Sequence, residues 1–593
     1  MPPAIIPKTP NKRQLFAALR SQLDVEHASF LSHWRDLNDY ILPRRGRFYV
    51  SDVNKGDRRN TKIIDSTATL AARTLKSGMM AGMTSPAREW KELITQDPDL
   101  NKWGPAKAWL STVNQSMSRM FLRSGLYNSL PIVYGDEGVF ATAAMMVEED
   151  FNGRVMRTTP FAVGSYRAGT DETGKVCVFL REFQMTVRQI INKFGRRRAN
   201  GEPDWSNISD TVKAKWDAGN YEHWIEVCHI IMPNTAYRPD RILARDKRYL
   251  SYYYETGNMG GSSQGNYIRS LEENRFLRES GYDYFPVLLA RWEVADGDVY
   301  GTDCPGMTCL GDIKGLQAGE KRIARADEKK LNPPMVAPAH LSNATTKLSI
   351  LPGDVSYVDE REGMKGFRAA HEVNFDTSHA EEKQMQTRSR IKRAFFEDVF
   401  LMLLSDERSE RATATEIAAK KQEQLVALGP ALEQQNMDVL DPLIDIAFDL
   451  MTRQNMIPPP PRELAGVPRA ARYISIMAQA QKTLGLGGIE RFLGVVGGIL
   501  NTTKSVQVLD KVDLDKTVDE VGEACGVPAG MVRSDDDAEV IREEREKAQQ
   551  AAQAAEQIKV GAETAKSLSQ ARTDQPSALS ELMQAAQAGQ VTP

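Results

Sequence analysis

The chain has 593 residues, 41% of them hydrophobic and 26% charged; it is too long for one core and ordinary in composition, so several folded units are expected, with disorder only locally. The formal net charge of −3 disfavours a dedicated DNA binder, which needs an excess of Lys and Arg to neutralise phosphates, but permits a surface past which DNA slides on weak contacts. The five cysteines, at 177, 228, 304, 309 and 525, have no framework spacing and suit a reducing cytoplasm without disulfides.

In chain order, the proline-rich segment Met1–Pro10 lacks an apolar core and reads as neither a signal peptide nor an anchor. Leu15, Leu19, Leu23, Phe30, Trp34, Leu37 and Ile41 recur at helical spacing until Pro43, which predicts one or two amphipathic helices over residues 11–42. A basic loop, Arg44–Arg59, leads to a helix over Ser66–Met83 that ends near Pro86, and its Ala and Gly content predicts close packing against other helices. β-Branched and aromatic runs between Gly and Pro turns predict strands in Met145–Arg181, Trp224–Met232 and Pro286–Val294, which makes the middle of the chain mixed α and β. Three tyrosines followed by Gly, Ser and Asn predict an exposed loop over Tyr252–Gly265.

Asp312–Leu331 is predicted helical, with Ile313, Leu316, Ile323 and Leu331 on one side and mixed charges elsewhere, and it ends at Asn332, Pro333 and Pro334. Residues 335–375 lack helical period and place Val336, Leu348, Ile350 and Val355 between turn residues, the pattern of a small β module. A second charged helix is expected from Ser378 to Leu404. Thr413-Ala-Thr-Glu416 is a capping box, so a helix starts there and reaches Leu428, where Gly429-Pro430 should break or kink it before a further helix to Met451. Pro458–Pro461 reads as a stiff linker, and residues 470–532 as short helices punctuated by Gly. Leu484–Leu500, the most apolar stretch, carries Glu490 and Arg491 and falls short of the ~20 residues a bilayer requires, so it is expected to be a packing helix. The tail, Asp535–Pro593, has helical propensity but little to bury; it should be helical only with partners, or disordered.

Few patterns carry chemistry. Gly169-x4-Gly174-Lys175 resembles a phosphate-cradling loop, but Val176 stands where a Ser or Thr must reach Mg²⁺, and predicted strands flank it where a strand and a helix are needed; a hairpin turn is the expected structure. Cys304, Cys309, His223, Cys228 and His229 lack the spacing of a zinc site, and buried thiols and strand histidines are expected. With no nucleophile elbow and no paired carboxylates, nothing supports an enzyme, a cofactor or a metal. The basic clusters Lys321, Arg322, Arg325, Lys329 and Lys330, and Arg388, Arg390, Lys392 and Arg393, read by default as solvated helix faces, and Arg408 and Arg411 as part of a surface loop, Ser405–Arg411.

The order of elements is more specific than any one of them: charged helix, compact β insertion, charged helix, short polar loop, capped long helix. That order resembles the viral portal fold, and the sequence words resemble the head-to-tail connecting family of short-tailed bacteriophages. The words are Trp34-x5-Tyr40-Ile-Leu-Pro43; Asp65-Ser-Thr-Ala-Thr69 through Ser85-Pro86-x3-Trp90; Tyr300-Gly301, Pro305-Gly306 and Gly311-Asp-Ile-Lys314; and Thr413-Ala-Thr-Glu416 through Leu428-Gly-Pro430 and Asp441-Pro-Leu443. They span residues 34–443.

The resemblance implies a mixed α+β, helix-rich fold assembled as a closed ring of twelve subunits at one capsid vertex. Its parts would be a wing (1–311), a stem helix (312–331), a clip (332–377), a second stem helix (378–404), a tunnel loop (405–412), a tunnel helix with returning wing (413–460), a crown (461–534) and a tail (535–593). It implies a channel for genome packaging and ejection, with the terminase large subunit and later the tail adaptor docking on the ring, capsid and scaffolding proteins as further partners, double-stranded DNA passing through, and no membrane. It also implies no catalytic activity in the chain itself, assembly in the host cytoplasm, and residence in the virion. Under this reading Arg408 and Arg411 become the first candidates to face DNA, with Arg388, Arg393, Lys321, Arg325 and Lys329 beside them. A scaffold or internal virion protein without a channel is the alternative, and the mixed middle and the β insertion argue against it.

Overall fold

The structure is a computed structural model, and it describes all of the chain except residues 1–10, 53–55, 98–99, 102, 152, 198–200, 242, 257–274, 332–334, 337–367, 370–377, 405–427, 465, 476, 478–491, 500–510, 525–532, 534 and 571–593. Helix α1 (Lys12–Tyr40) opens on a capping box in which the Asn11 side chain accepts from the Gln14 N–H at 2.9 Å and the Gln14 side chain accepts from the Asn11 N–H at 3.0 Å. It serves two cores. Phe16, Leu19 and Leu23 pack on a sheet, while Trp34, Leu37 and Ile41 enter the main core; Leu15, expected on the apolar stripe, is exposed.

Helix α2 (Thr67–Met83) buries the small-residue face that its composition predicts, Ala68, Ala71, Ala72, Gly78 and Gly82 among others. Strand β1 (Lys91–Thr95), α3 (Gly104–Ser124) and α4 (Leu126–Phe140) follow. Helix α4 is buried along most of its length and ends at Ala141, in a left-handed conformation (φ 61°). The Nε1 of Trp34 donates to the Phe140 carbonyl at 3.1 Å, so the last turn of α4 finds its partner in a buried indole.

Two antiparallel sheets fill the middle. β2 (Thr142–Asp150) lies between β3 (Val155–Pro160) and β9 (Val287–Arg291). A five-stranded sheet has β4 (Tyr166–Thr170) and β5 (Val176–Thr186) at one side, then β6 (Trp224–Pro233), β7 (Tyr249–Glu255) and β8 (Arg278–Tyr282). The small helices α5 (Val187–Phe194) and α6 (Asp210–Asp217) cover part of this sheet with their own apolar cluster. The strand expectations hold, with one correction: Tyr252, Tyr253 and Tyr254 lie inside β7 and are buried, because each face of that strand meets an apolar layer; residues 257–265 of the expected loop lie outside the described residues.

A helical turn, Pro305–Thr308, leads into α7 (Leu310–Leu331). Ile313 and Leu316 are buried as expected, but Ile323 is only half-buried and Leu331 is exposed, because the outer half of α7 leaves the core. Of the expected β module, Met335–Val336 (β10) and Arg368–Ala369 (β11) form an antiparallel pair; Leu348, Ile350 and Val355 lie outside the described residues. The expected single helix from 378 to 404 is two, α8 (Ser378–Ala394) and α9 (Glu397–Leu404). The break falls at Phe395 and at Phe396, which takes a left-handed conformation (φ 54°) and stacks on Trp292.

The capping box at 413–416 lies outside the described residues. Gly429 and Pro430 are themselves helical, within 428–435, and the departure from α geometry comes later, in a π-helical segment, Asn436–Leu440, that continues into α10 (Asp441–Arg453). A second correction concerns 470–532. Arg469–Tyr473 forms a strand, β12, paired with β1 from Lys91↔Tyr473 to Thr95↔Arg469, which fastens this part of the chain to α3 and α10. Helical residues follow at 492–499, in α11 (Leu514–Ala524) and in the long α12 (Asp535–Gln570), the helical form of the tail.

Candidate functional site: the root of the charged helix pair

Helices α7 and α8 run antiparallel. Asp312 pairs with Arg390 (2.9 Å), Gly319 faces Gln384, and Glu320 pairs with Arg388, so residue numbers rise along one helix as they fall along the other. The approach at Gly319 is close: a Cβ there would stand 2.5 Å from the end of the Gln384 side-chain amide. The β10 and β11 pairing keeps the same sense beyond the far ends of the helices.

At the near end the pair is fastened to the body by polar contacts. The Oε1 of Gln317 accepts from the Ile64 and Asp65 N–H groups at 2.6 and 2.8 Å, and its Nε2 donates to the Asp65 carbonyl at 2.8 Å. Asp65 in turn accepts from the Thr67 N–H through Oδ1 (2.8 Å) and from Arg388 Nε through Oδ2 (2.8 Å), while the other arm of Arg388 reaches Glu320. Burial by itself would raise the Asp65 pKa, but the bonds from Thr67 and Arg388 outweigh it and hold this carboxyl below its ordinary value. The bond that Arg388 donates to Asp65, with the charges of Asp65 and Glu320, outweighs burial and raises the Arg388 pKa. Lys314 adds a contact to Asp36 of α1 at 2.6 Å.

The glycines of the family words are explained by contact. A Cβ at Gly301 would stand 2.1 Å from the Ala141 carbonyl oxygen, and one at Gly306 2.5 Å from that of Val139, so the chain entering α7 presses directly on the end of α4. Tyr300 is buried against Trp34, and its hydroxyl accepts from the Ala168 N–H at 3.0 Å. Below α2, Gly78 gives room to Phe400 of α9, with a Cβ there only 2.2 Å from that ring.

The candidate DNA-facing residues fall into three groups. Lys321, Arg325 and Lys329 are exposed along α7, with no ion pair among the described residues, and Arg393 is exposed near the root of α8. Arg388 is engaged within the subunit by Asp65 and Glu320. Arg408 and Arg411 lie outside the described residues. Sequence reasoning missed Asp65, Gln317 and Glu320 as a unit; the one signal was that Asp65 opens a family word.

The other motifs take their plainer readings. Asp171–Lys175 is a hairpin turn in which the Asp171 carboxylate accepts from Thr173 and Lys175 N–H groups at 3.0 Å, leaving them no phosphate to cradle. Cys228, Cys304 and Cys309 are buried, and burial pushes each thiol up to about 12. Among the described residues no three His, Cys, Asp or Glu side chains gather as a metal site, and no helix is long and apolar enough to cross a membrane.

A helix-rich α+β body that sends out a rooted, charged, antiparallel helix pair is the class of subunit from which phage connectors are built. The bacteriophage head to tail connecting protein family matches residues 13–532. The portal protein of Salmonella phage epsilon15 is 43% identical over 571 residues, covering 96% of this chain and 98% of its own length. The probable portal protein of Bordetella phage BPP-1 is 38% identical over 574 residues, covering 97% and 98%. The chain belongs to this family of podovirus-type portal, or head-to-tail connector, proteins. A head-to-tail connector is a structural component of the virion, with capsid on one side and tail on the other.

Proposed function

We propose that twelve copies close into a ring at one capsid vertex, with α7 and α8 as the stem, 332–377 as the clip, 405–412 as the channel loop and 461–534 as the crown. DNA enters and leaves through the ring, the terminase large subunit docks during packaging, and the tail adaptor replaces it. Assembly takes place in the host cytoplasm, with scaffolding protein as a partner.

The observation that carries this reading is the rooted helix pair. Beyond Gln317 no residue of α7 is buried, and Leu331 is exposed; a helix left so uncovered needs neighbours to support it, and copies of itself around an axis supply them by heterologous contacts. Lys321, Arg325, Lys329 and Arg393 are then cations available to the channel wall, interspersed with acids so that DNA is not held tightly. The test is negative-stain electron microscopy with native mass spectrometry. Rings with a central hole and a mass near twelve times 66.2 kDa are expected; a monomer under all conditions, with and without scaffolding protein, would favour a scaffold or internal protein instead. For the channel loop, replacing Arg408 and Arg411 together by Ala should lower packaging or genome retention without altering ring mass, and unchanged packaging and retention would remove that role.

A further inference from the structure

Across the five-stranded sheet, Arg181 on β5, His229 on β6, Tyr253 on β7 and Arg278 on β8 are direct partners in register, so their side chains form one row on one face. On one side of the row Phe179 and Ile231 join the main core, and on the other Val227 packs with α5 and α6. The row therefore crosses the seam between two apolar clusters.

The row is rich in cations and poor in acids. The Arg181 guanidinium lies over the rings of Phe161 (4.3 Å) and Phe183 (4.5 Å), and its Nε is buried without a hydrogen-bond partner among the described residues. Lys193, from α5, stands 4.6 Å from the centre of the Tyr253 ring, on which His229 stacks at 3.8 Å. Lys193 and Arg278 are exposed. Arg157 faces them from β3, and its partner Glu148 (2.9 Å) is the carboxylate whose charge reaches Lys193. The crowding has a measurable direction. Burial, helped by Arg47, lowers Arg181 to about 10; the Lys193 side chain is exposed, but desolvation of its ammonium where it lies on the Tyr253 ring, together with Arg157, Arg278 and Arg181, lowers its pKa.

We propose that the accessible cations of this row, Arg181, Lys193 and Arg278, with His229 and Tyr253 buried among them, bind an extended acidic segment of a partner protein. Three strand spacings separate Arg181 from Arg278, about 14 Å, and carboxylates on alternate residues of an extended chain, at i, i+2 and i+4, also span about 14 Å. A guanidinium lying against two rings is held in place, and its two terminal nitrogens suit bidentate contact with a carboxylate. Arg181 is half-buried in the seam, within reach of a side chain but not of phosphates fixed on the outside of a stiff duplex.

The test is fluorescence anisotropy of a labelled (Glu-Ser)4 peptide with the full chain. Lys193→Glu with Arg278→Glu, two exposed positions whose change leaves the cores intact, should weaken binding at least tenfold. Absence of wild-type binding, or equal binding by the double variant, overturns the proposal. So does displacement of the peptide by a short DNA duplex whose own binding is lost in the same variant, since that outcome assigns the row to nucleic acid.

Discussion

Arg388 donates through Nε to Oδ2 of Asp65 at 2.8 Å, across 323 residues of sequence, so the second helix of the charged pair is tied to the start of α2 through a carboxylate that is 11% exposed. Arg388→Ala removes this bond and the one to Glu320, and should cost about 1–3 kcal/mol, toward the lower end because 35% of the Arg388 side chain meets solvent. A lower melting temperature in differential scanning calorimetry is the readout. The lowered Asp65 pKa means that its contribution is complete above the unfolded carboxyl pKa, about 4, and is lost as pH falls through the folded value. The acid limb of wild-type stability should therefore be steeper than that of Arg388→Ala.

Glu137, in α4, has the opposite sign. It is fully buried, the Gln435 amide can donate to both its oxygens at 3.1 and 2.7 Å, and burial, with Asp438 nearby, pushes its pKa well above the ordinary value. The folded chain holds this proton more tightly than the unfolded chain, so stability falls as pH rises from the unfolded value toward the folded one, by up to about 1.4 kcal/mol per pH unit. Glu137→Gln keeps the shape and removes the titration. Melting temperatures of the variant and wild type should diverge with rising pH, the variant being higher; parallel curves would mean that Glu137 ionises freely.

Gly78 and Gly301 are predicted to respond differently to Ala. At Gly78 the obstructing atoms belong to the Phe400 side chain, which can shift at a cost of about 1–3 kcal/mol, moving α9 with it. At Gly301 the obstruction is the backbone carbonyl of Ala141 at 2.1 Å, which has nowhere to go. Gly301→Ala should yield little soluble protein, whereas Gly78→Ala should fold with a reduced melting temperature; comparing soluble yield and melting curves separates them.

Much of this arrangement was legible in the sequence, and the failures have physical causes. Helical period and Pro stops placed α1, α2 and α7 because their apolar faces meet a core on one side only. Tyr252–Tyr254 were misread because a strand buried on both faces shows no alternation, and the Gly, Ser and Asn residues beyond it dominated the pattern. Nothing in the sequence marks Phe396, where a bulky residue takes a left-handed turn that Gly or Asn would ordinarily occupy. The β1 and β12 pairing joins Thr95 to Arg469, and the Asp65, Gln317, Glu320 and Arg388 cluster draws on three helices' neighbourhoods; both are set by tertiary structure, which local propensity does not encode.

Lys321, Arg325 and Lys329 make no ion pair among the described residues. Replacing all three by Ala should change the stability of the subunit by no more than about 0.5 kcal/mol per site, so any loss of DNA packaging by that variant reports on the channel and not on folding. A large drop in melting temperature of the isolated chain would show instead that these cations support the helix.

The tie between Asp65 and Arg388 has a mechanical consequence. Helix α7 has 22 residues; its first turns, as far as Gln317, are set in the body, and the 14 residues beyond, about 21 Å, run free of it. It is a cantilever. A tilt of about 10° at the root carries the tip of an arm of about 21 Å sideways by about 4 Å, and the same load applied at the tip returns to the start of α2 through the Gln317 amide and the Asp65 carboxylate. Whatever pushes on the far end of the pair is therefore felt, with leverage, at the start of the helix that packs against α4 and α9.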